Sequence, residues 1–383
     1  MGAAVKLFLI AGEPSGDRLG AALMKGLKSL APDVKFAGIG GPLMQAEGMT
    51  SLFPMDELSI MGIAEVLPKY FALKRRIAEA AAAALACAPA AMITIDSPDF
   101  SLRVAKIVKQ ARPTLRTIHY VAPSVWAWRP GRAAKMAKMI DHVMALLPFE
   151  PPFMIAAGMT CDFVGHPVVA EPVATRADGA AFRAIHGIAP DVPLIAVLPG
   201  SRKGEITRLA PRFGEVVRGV IAKHSTARIM IQTLQSRSAL IHDLTQDWPG
   251  SPVYLHSPSP TERAAAFTAA DVALAASGTV SLELAAQSCP MVIAYDLNRL
   301  TYWLMRKMAL IDTVTLVNLV TKTHAVPEFL GERCLADLIT PAVIRLLEND
   351  SNQMDAMQRT MHLLGQGAEA PGLRAARSVL SVL

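Results

Sequence analysis

Short apolar runs that alternate with helical patterns constrain the fold of this chain more than any other feature. The runs "PLIAVLPG" at 193–200 and "PMVIAY" at 290–295 are apolar at successive positions, so both faces of each predicted strand are buried. Strands of that kind belong to parallel sheets with helices on both faces, built from strand–helix–strand units. The sequence therefore predicts an α/β fold with parallel sheets.

The predicted strands fall into two groups. The first half of the chain predicts strands at 5–11, 35–39, 91–95, 116–121, 142–146 and 161–165; the second half predicts 194–198, 227–232, 253–255, 271–275, 290–295 and 314–317. Between the groups, "HPVVAEPVATRADGA" at 166–180 has prolines and no clear periodicity, which is typical of a hinge. We expect two Rossmann-like domains, 1–168 and 169–354, that face a cleft, with ligands beyond the carboxyl ends of the strands.

Composition narrows the class of protein. Of the 383 residues, 52% are hydrophobic and 18% charged, with a net charge of +6, which suits an anionic partner without identifying it. The four cysteines form no Cys-x-x-Cys pair, and no Asp-x-Asp or His-Glu-x-x-His pattern occurs, so we expect no metal and no cofactor. The longest uncharged stretch, 80–95, is too short to span a membrane. We expect a cytosolic protein that at most sits on a membrane surface.

Two predicted strand-to-helix turns in the first half carry carboxylates. In "AGEPSGDRLG" at 11–20, glycines allow close approach to a ligand, Glu13 is a candidate acid, and Asp17 suits a helix N-terminus. The alternative is a capped turn with a solvated Glu13. In "ITIDSPDF" at 93–100, Asp96 comes directly off a strand and is a candidate general base, while Asp99 is the better capping residue.

Two turns in the second half suit a diphosphate. In "LPGSRKGEI" at 198–206, the backbone amides and a guanidinium favour phosphate binding by Gly200, Ser201 and Arg202, with a solvated surface turn as the alternative. In "AASGTVSLELAA" at 275–286, a capped helix start is the alternative to a phosphate site. If the turn binds phosphate, the amides and hydroxyls of Ser277, Gly278 and Thr279 hold the phosphate oxygens. Glu283 then accepts hydrogen bonds from the ribose.

The segment "IMGIAEVLPKYFALKRRI" at 60–77 is apolar at its start and basic at its end. Pro68 predicts two helical pieces with a bend. An interfacial element would insert apolar side chains while cations meet anionic head groups. The side chains assigned to that membrane and acyl contact are Ile63, Val66, Leu67, Phe71, Lys69, Lys74, Arg75 and Arg76. Plain core packing is the alternative.

Taken together, these stretches resemble the lipid-A-disaccharide synthase family along almost the whole chain. The resemblance is carried by "AGEPSGD", "GGPLMQAEGM", "MGIAEVLP", "IDSPDF", "IHYVAPSVWAWR", "LPFE", "GHP", "LPGSR" and "SGTVSLE". It implies the GT-B architecture, with C-terminal helices at about 355–383 packing back on the first domain. It also implies an inverting hexosyltransferase that joins UDP-2,3-diacylglucosamine to 2,3-diacylglucosamine 1-phosphate, giving a β(1→6) disaccharide and UDP.

The resemblance also implies roles for single residues and a location. Asp96 and Glu13 are the implied catalytic groups, Arg202 meets the diphosphate, and Asn318 in "LVNL" joins the nucleotide site. The family is expected at the inner face of the inner membrane, as a peripheral protein and possible homodimer, without nucleic acid. Pro14 stands where the family more often has alanine.

Two other classes stay open from the residues alone. Another GT-B enzyme that uses a UDP-sugar and a lipid acceptor, or a UDP-sugar epimerase, would share the fold but not "GEPSGD" or "SVWAWR". A non-catalytic lipid-binding protein on the same fold would not need Asp96, Arg202 and Glu283 together.

Overall fold

A computed structural model describes residues 5–58, 63–296, 308, 310–348 and 352–383, without the side chains of 63–70 and 352. The chain divides into two compact units, one formed by 1–169 with 367–383 and the other by 170–366. Each described unit contains a six-stranded parallel sheet. The doubly apolar strands therefore predicted the sheet type correctly.

The first sheet has the strand order β2-β1-β3-β4-β5-β6. Its strands are β1 Lys6–Ala11, β2 Lys35–Ile39, β3 Ala91–Ile95, β4 Arg116–Tyr120, β5 His142–Ala145 and β6 Thr160–Phe163. The helices in this part of the chain are α1 Pro14–Leu30, α2 Pro42–Ala46, α3 Ile63–Cys87, α4 Pro98–Ala111, α5 Gly131–Met136 and α6 Pro151–Ala156, with 3-10 turns Met55–Leu58 and Pro167–Ala170.

The second sheet has the order β12-β11-β10-β7-β8-β9. Its strands are β7 Leu194–Leu198, β8 Arg228–Thr233, β9 Val253–His256, β10 Val272–Ala275, β11 Met291–Tyr295 and β12 Glu328–Leu330. The helices between them are α7 Arg176–Ile185, α8 Lys203–Lys223, α9 Ser238–Thr245, α10 Pro260–Ala269 and α11 Val280–Ala286, then Leu316–Thr321, Ala336–Glu348 and Asn352–Leu363, with 3-10 turns Gln235–Arg237 and Gly331–Arg333.

The strand predicted at 314–317 is wrong. The β-branched residues of this stretch suggested a strand, but Thr315 is the N-cap of the helix Leu316–Thr321. Glu328 accepts hydrogen bonds from the amides of Val314 and Thr315, which ties the loop to the true last strand. That strand, β12, pairs with β11 through only three residues and has no pattern long enough to recognise.

The two faces of the first sheet have separate cores. Apolar residues of α3, α4 and α5 cover one face, with Ile77, Val104 and Met136 buried among them. Helix α1 and the C-terminal helix Pro371–Ser381 cover the other face. Gly26 of α1 allows this packing, because a Cβ there would lie 2.5 Å from the carbonyl oxygen of Gly372.

The C-terminal helices do not all return to the first unit. The helix Asn352–Leu363 belongs to the second unit, where the Gln353 side chain bonds both backbone groups of Met291 at 2.9 Å. The segment that belongs to the first unit begins at Gly367, later than the 355 predicted from the sequence. Within the first unit, His142 Nε2 and Ser378 Oγ lie 2.7 Å apart and hold the last helix against the sheet.

Helix α3 is one helix, Ile63–Cys87, and not the two pieces predicted from Pro68. Pro68 lies in the second turn of the helix, where a proline cannot donate the backbone hydrogen bond to the residue four positions before it. The helix nevertheless continues through this position. The alanine-rich remainder has a high helix propensity, which favours a continuous helix.

Candidate active site

The turns that follow β1 and β3 touch each other at the carboxyl edge of the first sheet. A Cβ at Gly12 would lie 2.7 Å from the Ser97 hydroxyl oxygen, so only glycine fits there without a shift. Because β1 pairs with β3, the predicted catalytic residues Glu13 and Asp96 follow neighbouring strands. The half-buried Glu13 is the N-cap of α1, but its side chain makes no capping hydrogen bond.

Asp17 has a structural role that the sequence only partly predicted. Its carboxylate is 2% exposed and accepts hydrogen bonds at 2.9 to 3.0 Å from the amides of Gly41, Leu43 and Met44. It therefore caps the N-terminus of α2, not that of its own helix α1. This contact links the turn after β1 to the turn after β2, which explains why a buried aspartate stands in "GEPSGD".

The Asp96 turn is strained. Asp96 and Ser97 have φ angles of +52° and +44°, in the left-handed region that favours glycine. Backbone strain of this kind is concentrated at functional sites in proteins. The Asp96 amide donates to Tyr120 O at 3.0 Å, and Ser101 Oγ donates to the Asp96 carbonyl at 3.0 Å, so the backbone is held firmly.

The Asp96 carboxylate itself is half-buried, and within the described residues it has no hydrogen bond or ion pair. Asp99, by contrast, is exposed in the first turn of α4, and Ser97 rather than Asp99 is the N-cap. The capping role predicted for Asp99 is therefore wrong, and the catalytic role of Asp96 stays a prediction. Asp96 can accept a proton from a bound hydroxyl, and Asp99 lies at the positive end of a helix.

A third turn, after β4, is also strained. Val121 has a φ of +84°, which is a genuine outlier for a β-branched residue. The loop that follows carries Trp126, whose indole Nε1 donates to Glu150 Oε1 at 3.1 Å and whose ring meets Phe149 edge-on at 5.1 Å. The aromatic "SVWAWR" loop is thus fastened to the "LPFE" stretch beyond β5.

Glu150 is a buried carboxyl that sequence reasoning missed. It is 4% exposed and accepts hydrogen bonds from the amides of Leu146 and Leu147 as well as from Trp126. Burial raises the pKa of Glu150 to about 7, although those three hydrogen bonds act in the opposite direction. A carboxyl with that pKa keeps its proton in the folded state well above the pH at which the unfolded chain releases it.

We expect the stability of the first unit to fall as pH rises from about 4.5 to about 7. The raised pKa of Glu150 means that the folded state binds more protons than the unfolded state over that window, and its contribution is present in full only below it. The full change is about 3 kcal/mol, at 1.36 kcal/mol per unit. Glu150→Gln should remove this pH dependence in denaturant unfolding between pH 4 and pH 8. Glu332→Gln controls for the loss of an exposed carboxyl. If the free energy of unfolding of Glu150→Gln changes with pH as it does in the wild type, the assignment is contradicted.

In the second unit, the turn after β7 is organised by Glu205. Its carboxylate accepts from the amides of Ser201 and Arg202 at 3.2 Å and from Tyr295 Oη at 3.1 Å. Although burial raises the pKa of Glu205, the hydrogen bonds from Arg202 and Tyr295 hold it below its usual range. Gly200 has φ +102°, and a Cβ there would lie 2.7 Å from Glu205 Oε2, so this position requires glycine.

These contacts bear on the phosphate prediction for this turn, which stays a prediction. The amides of Ser201 and Arg202 donate to Glu205, so a phosphate bound by them would have to displace that carboxylate. The Arg202 guanidinium is 65% exposed and donates to Glu205 Oε1 at 2.9 Å through one terminal nitrogen. The guanidinium of Arg202 is therefore oriented by Glu205 and accessible to solvent.

The turn after β10 lies between the turns after β7 and β11, because β10 pairs with both strands. It carries the hydroxyls of Ser277 and Thr279, which have no hydrogen bond within the described chain, and Gly278, where an added Cβ would meet nothing within 4 Å. The carboxylate of Glu283, in the following helix α11, is 3.1 Å from Arg263 Nε. Arg263 also pairs with Glu171 at 3.3 Å, so one half-buried arginine orients Glu283.

Asn318 makes structural contacts in the second unit. Its side chain is fully buried, and its amide nitrogen donates to Val326 O at 2.9 Å and to Thr313 Oγ1 at 3.2 Å. Its amide oxygen accepts from Val326 N at 2.9 Å. Both polar atoms of the side chain are thus used to close the loop that precedes β12, and the nucleotide contact of Asn318 stays a prediction.

The residues of α3 that were predicted to contact the membrane differ in exposure and in their partners. Arg76 pairs with Glu57 and Glu79 and stacks 4.4 Å above the ring of Phe53, so it is a packing residue and not a head-group ligand. Phe71 is 80% exposed, and Lys74 and Arg75 are exposed. The side chains of Ile63, Val66, Leu67 and Lys69 lie outside the described residues. In the described helices, none is both long and apolar enough to cross a membrane.

The residues that sequence reasoning missed combine local partners with partners distant in the chain. Glu205 stands three residues after Arg202, and this helix-start spacing is the one local signal that was present. Tyr295 and Arg263 gave no signal, because strand order alone brings them to their partners. Among the described side chains, no group of three or more His, Cys, Asp or Glu is placed to hold a metal ion.

Comparison with known proteins agrees with this description. The family model described as lipid-A-disaccharide synthetase matches residues 7–377. The lipid-A-disaccharide synthases of Ruegeria pomeroyi and Rhodospirillum centenum are 57% and 44% identical, covering 100% and 98% of this chain and 96% and 94% of their own.

A solved UDP-GlcNAc 2-epimerase from Neisseria meningitidis has a TM-score of 0.63 at 10% identity, covers 99% of this chain and 98% of its own, and shows the fold alone. The two-domain α/β fold with parallel sheets is therefore of the GT-B type. Since the family model matches almost the whole chain and these relatives are well above 30% identical, the chain belongs to the lipid-A-disaccharide synthase family of glycosyltransferases.

Proposed function

We propose that this enzyme of lipid A disaccharide synthesis transfers 2,3-diacylglucosamine from UDP to the 6-hydroxyl of 2,3-diacylglucosamine 1-phosphate. The products are the β(1→6)-linked disaccharide 1-phosphate and UDP. The observation that carries the proposal is Asp96, an unpartnered carboxylate in the described chain, held on a left-handed turn at the end of β3. A general base in that position is what a one-step displacement by a hydroxyl group requires.

The chemistry is a single in-line substitution. The acceptor oxygen forms a bond to the anomeric carbon as the bond from that carbon to the diphosphate oxygen breaks. The bonding electron pair leaves with UDP, and the hydroxyl proton passes to Asp96. Since one displacement inverts the anomeric centre, an α-linked donor gives a β-linked product. Glu13, on the neighbouring turn, orients the acceptor in this scheme.

The second unit supplies the nucleotide contacts. Arg202 neutralises the charge that develops on the departing diphosphate, and the hydroxyls of Ser277 and Thr279 donate to its oxygens. Glu283, oriented by Arg263, accepts hydrogen bonds from the ribose hydroxyls. The support for this assignment is the order of strands β11-β10-β7, which places these turns side by side at one edge of the sheet.

The direct test is UDP release from UDP-2,3-diacylglucosamine with and without the monosaccharide phosphate. We expect release to depend on both substrates, because the acceptor hydroxyl is the nucleophile. An epimerase or a hydrolase would turn over the donor alone, and a lipid-binding protein would release no UDP. Either of these results would contradict the proposal.

Location at the inner face of the inner membrane belongs to the same proposal, since both substrates carry acyl chains. Phe71 supports it as a large apolar side chain that is 80% exposed on α3, with Lys74 and Arg75 beside it. Aromatic and cationic side chains on one helix are typical of interfacial binding.

We expect Phe71→Ser to lower the binding of the protein to phospholipid vesicles about 10-fold. Partial burial of an aromatic side chain in lipid is worth about 1.4 kcal/mol, toward the lower end of the range for full burial. Ile185→Ser is the matched control, because Ile185 is also 80% exposed but lies on α7 of the second unit. Equal vesicle binding by the wild type and both variants, measured by flotation, would contradict docking through α3.

A further inference from the structure

An open groove of about 340 Å³ lies between α3 and α4 in the first unit. Its lining combines apolar and cationic side chains from the two helices: Leu73, Lys74, Ile77, Arg103, Lys106, Ile107 and Gln110. The volume falls in the range of small-molecule sites, roughly 300–1,000 Å³. The lining contains none of the residues of the strand-end turns, so the groove is separate from the catalytic and nucleotide residues.

The spacing of these residues explains why they converge. On α4, Arg103, Lys106, Ile107 and Gln110 stand at intervals of three and four, which places them on one helix face. On α3, Leu73 and Ile77 are four residues apart and face the same groove. Ile107 is an exposed apolar side chain among these cations. A helix face that only contacts solvent does not require an apolar side chain at this position.

The charges in the groove are uncompensated within the described chain. The nearby cations Arg76 and Lys109 are neutralised by Glu57, Glu79 and Asp141. Lys74, Arg103 and Lys106 have no ion pair or hydrogen bond among the described residues. Three uncompensated cations around an apolar floor are complementary to a ligand that joins an anionic group to a hydrocarbon chain.

We propose that this groove binds one anionic phospholipid of the bilayer. Its phosphate lies against Lys74, Arg103 and Lys106, and part of an acyl chain covers Leu73 and Ile107. This inference rests on the proposed membrane association and adds to it a defined lipid class and a second helix. Contact with Phe71 alone predicts binding to any bilayer surface, whereas the groove predicts a preference for anionic lipid.

The test compares vesicles of phosphatidylcholine with vesicles that also contain phosphatidylglycerol. Arg103→Gln with Lys106→Gln should lower affinity for the anionic vesicles about 30-fold, since each cation near such a surface contributes about 1 kcal/mol. Affinity for neutral vesicles should be unchanged. Lys25→Gln with Lys35→Gln removes the same charge from exposed positions on α1 and β2 and should have a much smaller effect.

A second variant separates a groove from general attraction between charges. Ile107→Ser should weaken binding to anionic vesicles even at high salt, where exposed charges are screened. If both double variants lose binding equally and Ile107→Ser has no effect, the groove is overturned in favour of diffuse electrostatics.

Two further outcomes also contradict the proposal, and they are distinguishable. Failure of the wild type to bind any vesicle overturns membrane association as a whole, while UDP release in detergent still tests the enzymatic function independently. In the second outcome, Arg103→Gln/Lys106→Gln binds vesicles as the wild type does but has a raised KM for the acylated acceptor in detergent. That result assigns the groove to substrate instead.

Melting temperatures should stay near the wild-type value, since the substituted side chains are exposed and have no partner in the described chain.

Discussion

Replacing Asp96 by asparagine is expected to lower kcat by about 10²- to 10⁴-fold, the usual contribution of a general base. Asparagine is nearly the same size and tolerates the left-handed backbone, so the turn with φ +52° should keep its shape. UDP affinity should stay near normal, because Asp96 belongs to the first unit and the proposed nucleotide residues to the second. Steady-state kinetics with both lipid substrates, together with calorimetry for UDP, measures the two effects separately.

Asp99→Asn is the matched control for this result. It makes the same chemical change three residues away, at an exposed position in the first turn of α4. Turnover near the wild-type rate is expected. If Asp96→Asn keeps more than about a tenth of the wild-type rate, the general-base assignment is wrong. If Asp99→Asn loses as much activity as Asp96→Asn, the loss reflects the loop and not the base.

Arg202→Ala and Glu283→Ala should each weaken UDP binding about 10- to 100-fold. A hydrogen bond to a charged group is worth about 1.5–3 kcal/mol, which corresponds to that loss. The stability of the protein should change little in Arg202→Ala, since its pair with Glu205 is exposed on the arginine side and such pairs contribute little. Calorimetric titration with UDP measures the affinity of each variant directly.

Two neighbours provide the controls for the nucleotide variants. Lys203→Ala removes an exposed cation next to Arg202 and should leave UDP affinity near normal. Glu171→Ala breaks the other ion pair of Arg263 while leaving Glu283 in place, so it separates a ribose contact from a purely structural pair. Unchanged UDP affinity in both Arg202→Ala and Glu283→Ala would contradict the nucleotide site.

The parallel sheets could be predicted because their signal is local. A strand buried on both faces is apolar at every position, and this pattern is present in β7 and β11 without reference to the rest of the chain. The three-residue strand β12 has no such pattern, since its place is set by pairing with β11 and by the Glu328 contacts to a distant loop. The helix at 316–321 was missed because β-branched residues fit a strand equally well.

The candidate site could be predicted in position but not in its contacts. Asp96 follows directly from a strand, so its place at the sheet edge was predictable, and so was that of Arg202. The occupation of the Ser201 and Arg202 amides by Glu205 depends on side-chain geometry within the turn. The burial of Asn318 and the bond from Trp126 to Glu150 depend on how the folded chain packs. Side-chain roles therefore required the structure.

The central claim is inverting transfer onto the acceptor sugar, and the configuration of the new linkage tests it most directly. The purified enzyme is incubated with UDP-2,3-diacylglucosamine and 2,3-diacylglucosamine 1-phosphate, and the lipid product is analysed by NMR. We predict a disaccharide 1-phosphate joined by a β(1→6) bond. An α linkage would contradict the single displacement assisted by Asp96, and free diacylglucosamine without a disaccharide would contradict transfer to the acceptor.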